Sequence, residues 1–208
     1  MITAIGDVMR RCYDKGWITT RDGNASVRRA GSKIVYITPS GVRKNKIEVE
    51  SIIKMKIVNG ELVLPEGAKP SGELHMHWLL LKDATKTTAV LHVHPTHVIA
   101  AMHAGWDLQE MCKPFAEIYR YTRVGPNVPA IPAVTKELGD ATFEKIQGYD
   151  IVGQAAHGIC AIGPDPWSAY EHVERLDHIC EIVLKSGVKP KPNERPFWDV
   201  DFTKECKA

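Results

Sequence analysis

The segment Ala89-Val90-Leu91-His92-Val93-His94-Pro95 constrains this chain more than any other. Its β-rich composition predicts a strand closed by Pro95, and the flanking Val90, Leu91 and Val93 argue that the strand is buried. In a strand, residues i and i+2 point to one face, so His92 and His94 present two imidazoles side by side. On a solvated face such a pair needs no explanation. In a buried strand two neutral imidazoles need partners, and two imidazoles make half of a metal site. The best third ligand is His157, in Ala155-Ala156-His157-Gly158, where glycine allows close backbone approach. A catalytic zinc typically takes three protein ligands and keeps one position open. The chain has nine histidines. Of the others, His75, His77, His97, His103, His172 and His178 read as surface or packing residues.

The remaining pattern predicts an α/β layered domain. Ile5, Val8, Met9 and Cys12 recur at helical spacing up to Gly16, giving an opening helix. Lys33 to Thr38 reads as a strand, and Ile53 to Val58 followed by Asn59-Gly60 reads as a hairpin arm with a two-residue turn. Ser71 is read as the N-cap of a helix with Leu74, Trp78 and Leu81 on one face. Asp150 to Ile162 alternates apolar and small residues, and Trp167 to Leu184 shows helical periodicity ending at Ser186-Gly187. The Pro-rich stretch 189–196 is read as a surface-wrapping arm. Neither G-x-G-x-x-G nor G-x-x-x-x-G-K-S/T is present, which removes support from nucleotide folds.

Composition narrows the function classes. Lys and Arg number 27 against 25 Asp and Glu, a formal charge of +2, which offers no electrostatic case for a nucleic-acid or membrane-surface protein. No apolar run approaches a membrane span and the N-terminus lacks a signal-peptide layout, so a cytoplasmic protein is expected. The five cysteines, 12, 112, 160, 180 and 206, are scattered and read as core thiols rather than a disulfide or zinc-ribbon framework.

Three short segments add anion chemistry. Asp22-Gly23-Asn24-Ala25-Ser26, Thr38-Pro39-Ser40-Gly41 and Lys69-Pro70-Ser71-Gly72-Glu73 each put a hydroxyl or amide donor beside a glycine that lets backbone N–H groups reach outward. Singly each is an ordinary turn. Glu73 is expected in the first turn of its helix, where the dipole favours a carboxylate whatever its role.

Taken in order, Gly23-Asn24-Ala25-Ser26-Val27-Arg28, Thr38-Pro39-Ser40-Gly41, Lys69-Pro70-Ser71-Gly72-Glu73, His92-Val93-His94-Pro95 and His157-Gly158 resemble the class II aldolase/adducin family, over about residues 5 to 185. The resemblance is to its small fuculose-1-phosphate aldolase type. It implies a three-layer α/β/α fold around a mainly antiparallel sheet, spanning 1–208 as a single domain with a Pro-rich C-terminal arm at about 187–208. It also implies a homotetramer with active sites at subunit interfaces. By resemblance His92, His94 and His157 ligate zinc, with manganese or iron as alternatives, and Glu73 is the general acid/base. Gly23, Asn24, Ser40, Gly41, Ser71 and Gly72 would bind the substrate phosphate. The implied reaction cleaves a phosphorylated ketose to dihydroxyacetone phosphate and an aldehyde through a zinc-stabilised enediolate.

The chain departs from the family pattern at three places. Ser71-Gly72 stands where these aldolases often have two serines, losing one hydroxyl. Pro132-Ala133-Val134-Thr135 stands where they commonly carry a Pro-Tyr segment, whose tyrosine serves the aldehyde. Tyr119 and Tyr121, on a Tyr-Arg-Tyr-Thr-Arg segment, are candidate substitutes, or else mark an exposed strand. Ala156 precedes the third histidine where a polar residue is often found. Arg43 and Lys44 make a carboxylated substrate an alternative, so a decarboxylase of an oxo-acid phosphate competes with the aldolase, followed by an epimerase or dehydratase. A non-catalytic adducin-like interaction module is a further alternative, disfavoured because the three histidines and Glu73 are all present.

Overall fold

The computed structural model describes residues 2–85 and 87–187. Seven strands form one sheet: β1 (Asn24–Val27), β2 (Ile34–Ile37), β3 (Ile53–Val58), β4 (Glu61–Val63), β5 (Ala89–Val93), β6 (Ile151–Gln154) and β7 (Gly158–Gly163). Their order is β4-β3-β2-β1-β5-β7-β6, and every neighbouring pair is antiparallel. The helices are α1 (Ile2–Asp14), α2 (Leu74–Leu81), α3 (Thr96–His103), α4 (Leu108–Cys112), α5 (Ala116–Tyr121), α6 (Lys136–Lys145) and α7 (Pro166–Ser186). Among the described residues no helix is long and apolar enough to cross a membrane.

Strand alternation divides the core in two. Ala25 and Val27 of β1, Ala89, Leu91 and Val93 of β5, and Ile159 and Ala161 of β7 point into a cluster with Ile5, Val8 and Met9 of α1 and Val173, Leu176 and Cys180 of α7. Val35, Ile37, Val90 and Cys160 point the other way, toward Met76, Leu80 and Leu81 of α2 and Leu138 of α6. The α/β/α layering follows from this two-sided demand: each fully buried Val, Leu or Ile contributes roughly 1.5–3 kcal/mol, which a one-sided sheet would forfeit on its open face. The layer holding α2 is the one that carries the site.

Most elements lie where their residues predict. The Asn59-Gly60 turn joins β3 to β4, with both residues at positive φ (51° and 84°), the conformation a two-residue hairpin turn requires. α7 begins at Asp165, whose carboxylate accepts from the N–H groups of Trp167 and Ser168, with Pro166 in the first turn. The alternating run from Asp150 to Ile162 is two strands, β6 and β7, folded about the turn at 155–157, where Ala156 adopts φ 57°. Two expectations are corrected. The Tyr-Arg-Tyr segment lies on helix α5 rather than on an exposed strand. α2 starts at Leu74, so Ser71 is not its N-cap and Glu73 is the residue before its first turn. The 189–196 arm lies outside the described residues.

Candidate metal centre and active site

Three imidazoles converge at the end of β5. Antiparallel pairing sets Asn24 of β1 on one side of His92 and Cys160 of β7 on the other. His94 follows on the same face, just beyond the strand, and the β6–β7 turn delivers His157. Ring centroids lie 4.8 Å apart for His92 and His94, 4.7 Å for His92 and His157, and 5.0 Å for His94 and His157. One nitrogen from each ring lies within 4.8 Å of the others, a group that could hold a metal ion. Gly158 is needed for this convergence: a Cβ there would stand 2.5 Å from the Val93 carbonyl oxygen and 2.6 Å from the His94 ring.

The donor set suits a divalent ion. His92 is buried and its Nδ1 donates to the Ile159 carbonyl at 2.9 Å, so its Nε2 lone pair faces the other rings, 2.9 Å from His94 Nε2. A backbone partner on the far nitrogen is the usual way a metal-binding imidazole is oriented. Burial first, and then the neighbouring imidazoles, hold His92 well below the usual histidine range; burial and His157 push His94 down to about 4. Both are therefore neutral near pH 7, the form that can donate to a metal. Glu73 Oε1 is buried and has no hydrogen-bond partner, which an added cation beside the three rings would supply.

Glu73 closes the group. Its Oε2 lies 3.2 Å from His92 Nε2 and its Oε1 3.8 Å from His157 Nε2. The Asn24 amide donates to Oε2 at 2.8 Å, and the Glu73 backbone N–H donates to Ser71 Oγ at 3.3 Å. The carboxylate is thus anchored on one oxygen only.

The three turn segments meet beside it. Pro39 and Pro70 form an isolated bridge, with Ser40 N–H on the Lys69 carbonyl (2.9 Å) and Ser71 N–H on the Thr38 carbonyl (3.2 Å). A cleft of about 220 Å³ runs from these turns to the histidines, and Gly23, Asn24, Ser40, Gly41, Ser71, Gly72, Glu73, His92, His94 and His157 all line it. Arg21 and Lys44 also line it. Lys44 is buried, its Nζ donating to the Arg21 and Val42 carbonyls at 3.1 and 3.3 Å, and burial lowers its pKa. Arg43 is not among the lining residues.

One reading of the sequence needs revision here, and that of His77 as a packing residue gains a hydrogen-bonding role. Tyr121 does not line this cleft; its half-exposed ring lies 5.1 Å from the Arg120 guanidinium and 5.3 Å from that of Arg175, and the Tyr119 side chain lies outside the described residues. Val134, from the segment where a tyrosine is missing, stands at the cleft instead. His77, grouped with packing histidines, is buried with its Nε2 2.5 Å from Asn24 Oδ1. Its spacing of four residues from Glu73, one helical turn, was the available signal.

The chain resembles known proteins across its length. It is 28% identical over 190 residues to the 5-deoxy-D-ribulose 1-phosphate aldolase of Bacillus thuringiensis, covering 90% of this chain and 85% of that one. It is 30% identical over 210 residues to the methylthioribulose-1-phosphate dehydratase of a Bradyrhizobium strain, covering 88% and 91%. A solved L-fuculose 1-phosphate aldolase, 23% identical, shares the fold with a TM-score of 0.77 over 97% of this chain and 91% of its own. Residues 3–184 match the family model described as the class II aldolase and adducin N-terminal domain, and the chain belongs to that family.

Proposed function

We propose that this protein is a divalent-metal-dependent lyase that cleaves a phosphorylated ketose of the fuculose-1-phosphate kind to dihydroxyacetone phosphate and an aldehyde. The observation that carries this is the position of Glu73, with one carboxylate oxygen anchored by Asn24 and the other unpartnered beside three imidazoles. His92, His94 and His157 would hold the ion, zinc by its preference for imidazole, with manganese or iron also suited to such a set. Bound there, a divalent ion supplies Lewis acidity for the charge that develops on the substrate oxygens.

The chain's own residues do the rest. In the synthetic direction Glu73 takes the carbon-bound proton of dihydroxyacetone phosphate through Oε1, and in cleavage it returns it. The backbone and hydroxyl donors around Gly23, Ser40, Gly41, Ser71 and Gly72 bind the phosphate end, and Arg21 and Lys44 add positive charge to that side of the cleft. Asn24 serves the carboxylate with one amide proton and retains a second for the ligand.

A second reading within the family is loss of water or of carbon dioxide from a phosphorylated substrate. Among the described residues no tyrosine lines the cleft, which supports it, since neither reaction has an aldehyde oxygen to protonate, and Arg21 and Lys44 suit an added carboxylate. The presence of Glu73 and all three histidines in one cleft weighs against a non-catalytic module. We also read the protein as a cytoplasmic homotetramer whose neighbouring subunits complete the open cleft.

The test is exchange of the carbon-bound proton of dihydroxyacetone phosphate in deuterated water, followed by product identification with a panel of ketose phosphates and oxo-acid phosphates. Exchange by the wild type, reduced roughly 10²- to 10⁴-fold in metal-replete Glu73→Gln, is expected from loss of a general base. Equal exchange by the two proteins removes Glu73 from the reaction. Water or carbon dioxide release without aldehyde selects the second reading.

A further inference from the structure

A line of buried hydrogen bonds leads from the site into the sheet. Ser26 Oγ lies 2.6 Å from His77 Nδ1, His77 Nε2 lies 2.5 Å from Asn24 Oδ1, and Asn24 Nδ2 lies 2.8 Å from Glu73 Oε2. Asn24 and Ser26 alternate on one face of β1, and α2 lays His77 across them. All four residues are at most 9% exposed.

Chemistry gives this line a single direction. An ionised carboxylate only accepts, so the Asn24 nitrogen faces Glu73 and its carbonyl faces His77. That carbonyl also only accepts, so His77 must carry its proton on Nε2. Burial pushes the His77 pKa down to about 3, so the ring is neutral and Nδ1 has a lone pair, which accepts the Ser26 hydroxyl proton. Each donor is matched to one acceptor, and turning the Asn24 amide over would break two of the three bonds.

We propose that His77 is a positioning residue: by locking the Asn24 amide it fixes Glu73 Oε2 and leaves Oε1 as the oxygen that exchanges a proton with substrate. This rests on the reading of Glu73 as the base. Oε1 has no hydrogen-bond partner among the chain's own groups, so the chain's polar hold on the carboxylate runs through Oε2. Displacement of a catalytic group by about 1 Å can cost about 10²-fold in rate. Ser26 enters the same line at its far end and keeps the ring from rotating.

The experiment compares three variants with wild type, metal-replete and with melting curves recorded, in the exchange of dihydroxyacetone phosphate protons with deuterated water. His77→Phe keeps an aromatic ring but offers no donor, and kcat for exchange should fall roughly 10- to 100-fold with KM within about threefold. His77→Gln can donate an amide proton to Asn24 and should recover most of that loss. Glu73→Gln separates the two ideas. If Glu73→Gln is inactive and folded His77→Phe exchanges at the wild-type rate, the positioning role is overturned while the base assignment stands. If His77→Gln is as impaired as His77→Phe, the donor is not what matters and the proposal also fails. Nitrogen NMR of the wild-type His77 ring tests the same line without a variant: a neutral ring protonated on Nε2 supports it, and a proton on Nδ1 overturns it.

Discussion

The side chain of Val134 fills the space that a side chain on residue 72 would need: a Cβ built on Gly72 would stand 2.5 Å from Val134 Cγ1. Val134 is itself at φ 65°, a left-handed conformation that a β-branched residue rarely adopts. Positions 72 and 134, widely separated in sequence, therefore compete for one space at the cleft.

Gly72→Ser alone should destabilise the protein by about 1–3 kcal/mol, as overpacking does. Val134→Gly should raise stability by about 1 kcal/mol, because the left-handed backbone costs more than the small burial of a side chain 61% exposed. The double variant should then accept the serine. Urea denaturation of the three proteins checks this, and additive single effects would mean that the two positions are uncoupled.

Metal content should be about one divalent ion per chain and should be lost in His94→Ala. His94 is the better position for this test because His92 is fully buried and holds Ile159, so His92→Ala would also leave a cavity and an unpaired carbonyl. Elemental analysis showing the same content in His94→Ala and wild type would rule out the three-histidine centre.

Ser40→Asp should raise KM for a phosphorylated substrate at least tenfold with little change in kcat. Ser40 lies at the end of the cleft formed by the Pro39–Pro70 bridge, and a fixed carboxylate there repels a phosphate dianion. An unaltered KM would place the anion elsewhere.

The metal-free protein should lose stability as pH falls from about 7 to 5. An unfolded histidine takes its proton near pH 6.5, whereas buried native His77 and His94 have values pushed down to about 3 and about 4. Between those values the unfolded state binds more protons, so unfolding is favoured increasingly with acid, and the penalty stops growing below the native values. Denaturation midpoints across this window, where most carboxylates stay ionised, should fall steadily and fall less in His77→Gln. A flat profile would mean that these rings are accessible to solvent.

The local part of this protein is readable from its residues. A period of two puts His92 and His94 on one face, Asn59-Gly60 turns a hairpin, and Ile5, Val8, Met9 and Cys12 bury one side of α1. These follow from backbone periodicities that each segment carries within itself. Gly158 was readable as a place of close backbone approach; that what approaches is Val93 and His94 depends on strand register.

Tertiary structure decided what meets what. The Ser40 and Ser71 turns are joined by a bridge between residues 31 positions apart, and His77 reaches Asn24 across 53 positions because α2 packs against β5, the strand paired with β1. Helical period alone puts His77 below Glu73 but does not say that an asparagine lies between the sheet and both. Tyr119 and Tyr121 belong to a short helix whose place against α7 no local pattern specifies, and Val134 occupies a backbone conformation its side chain disfavours. Propensity and periodicity act over a few residues, whereas cross-strand register, layer packing and strain held by neighbours exist only once the chain has closed on itself.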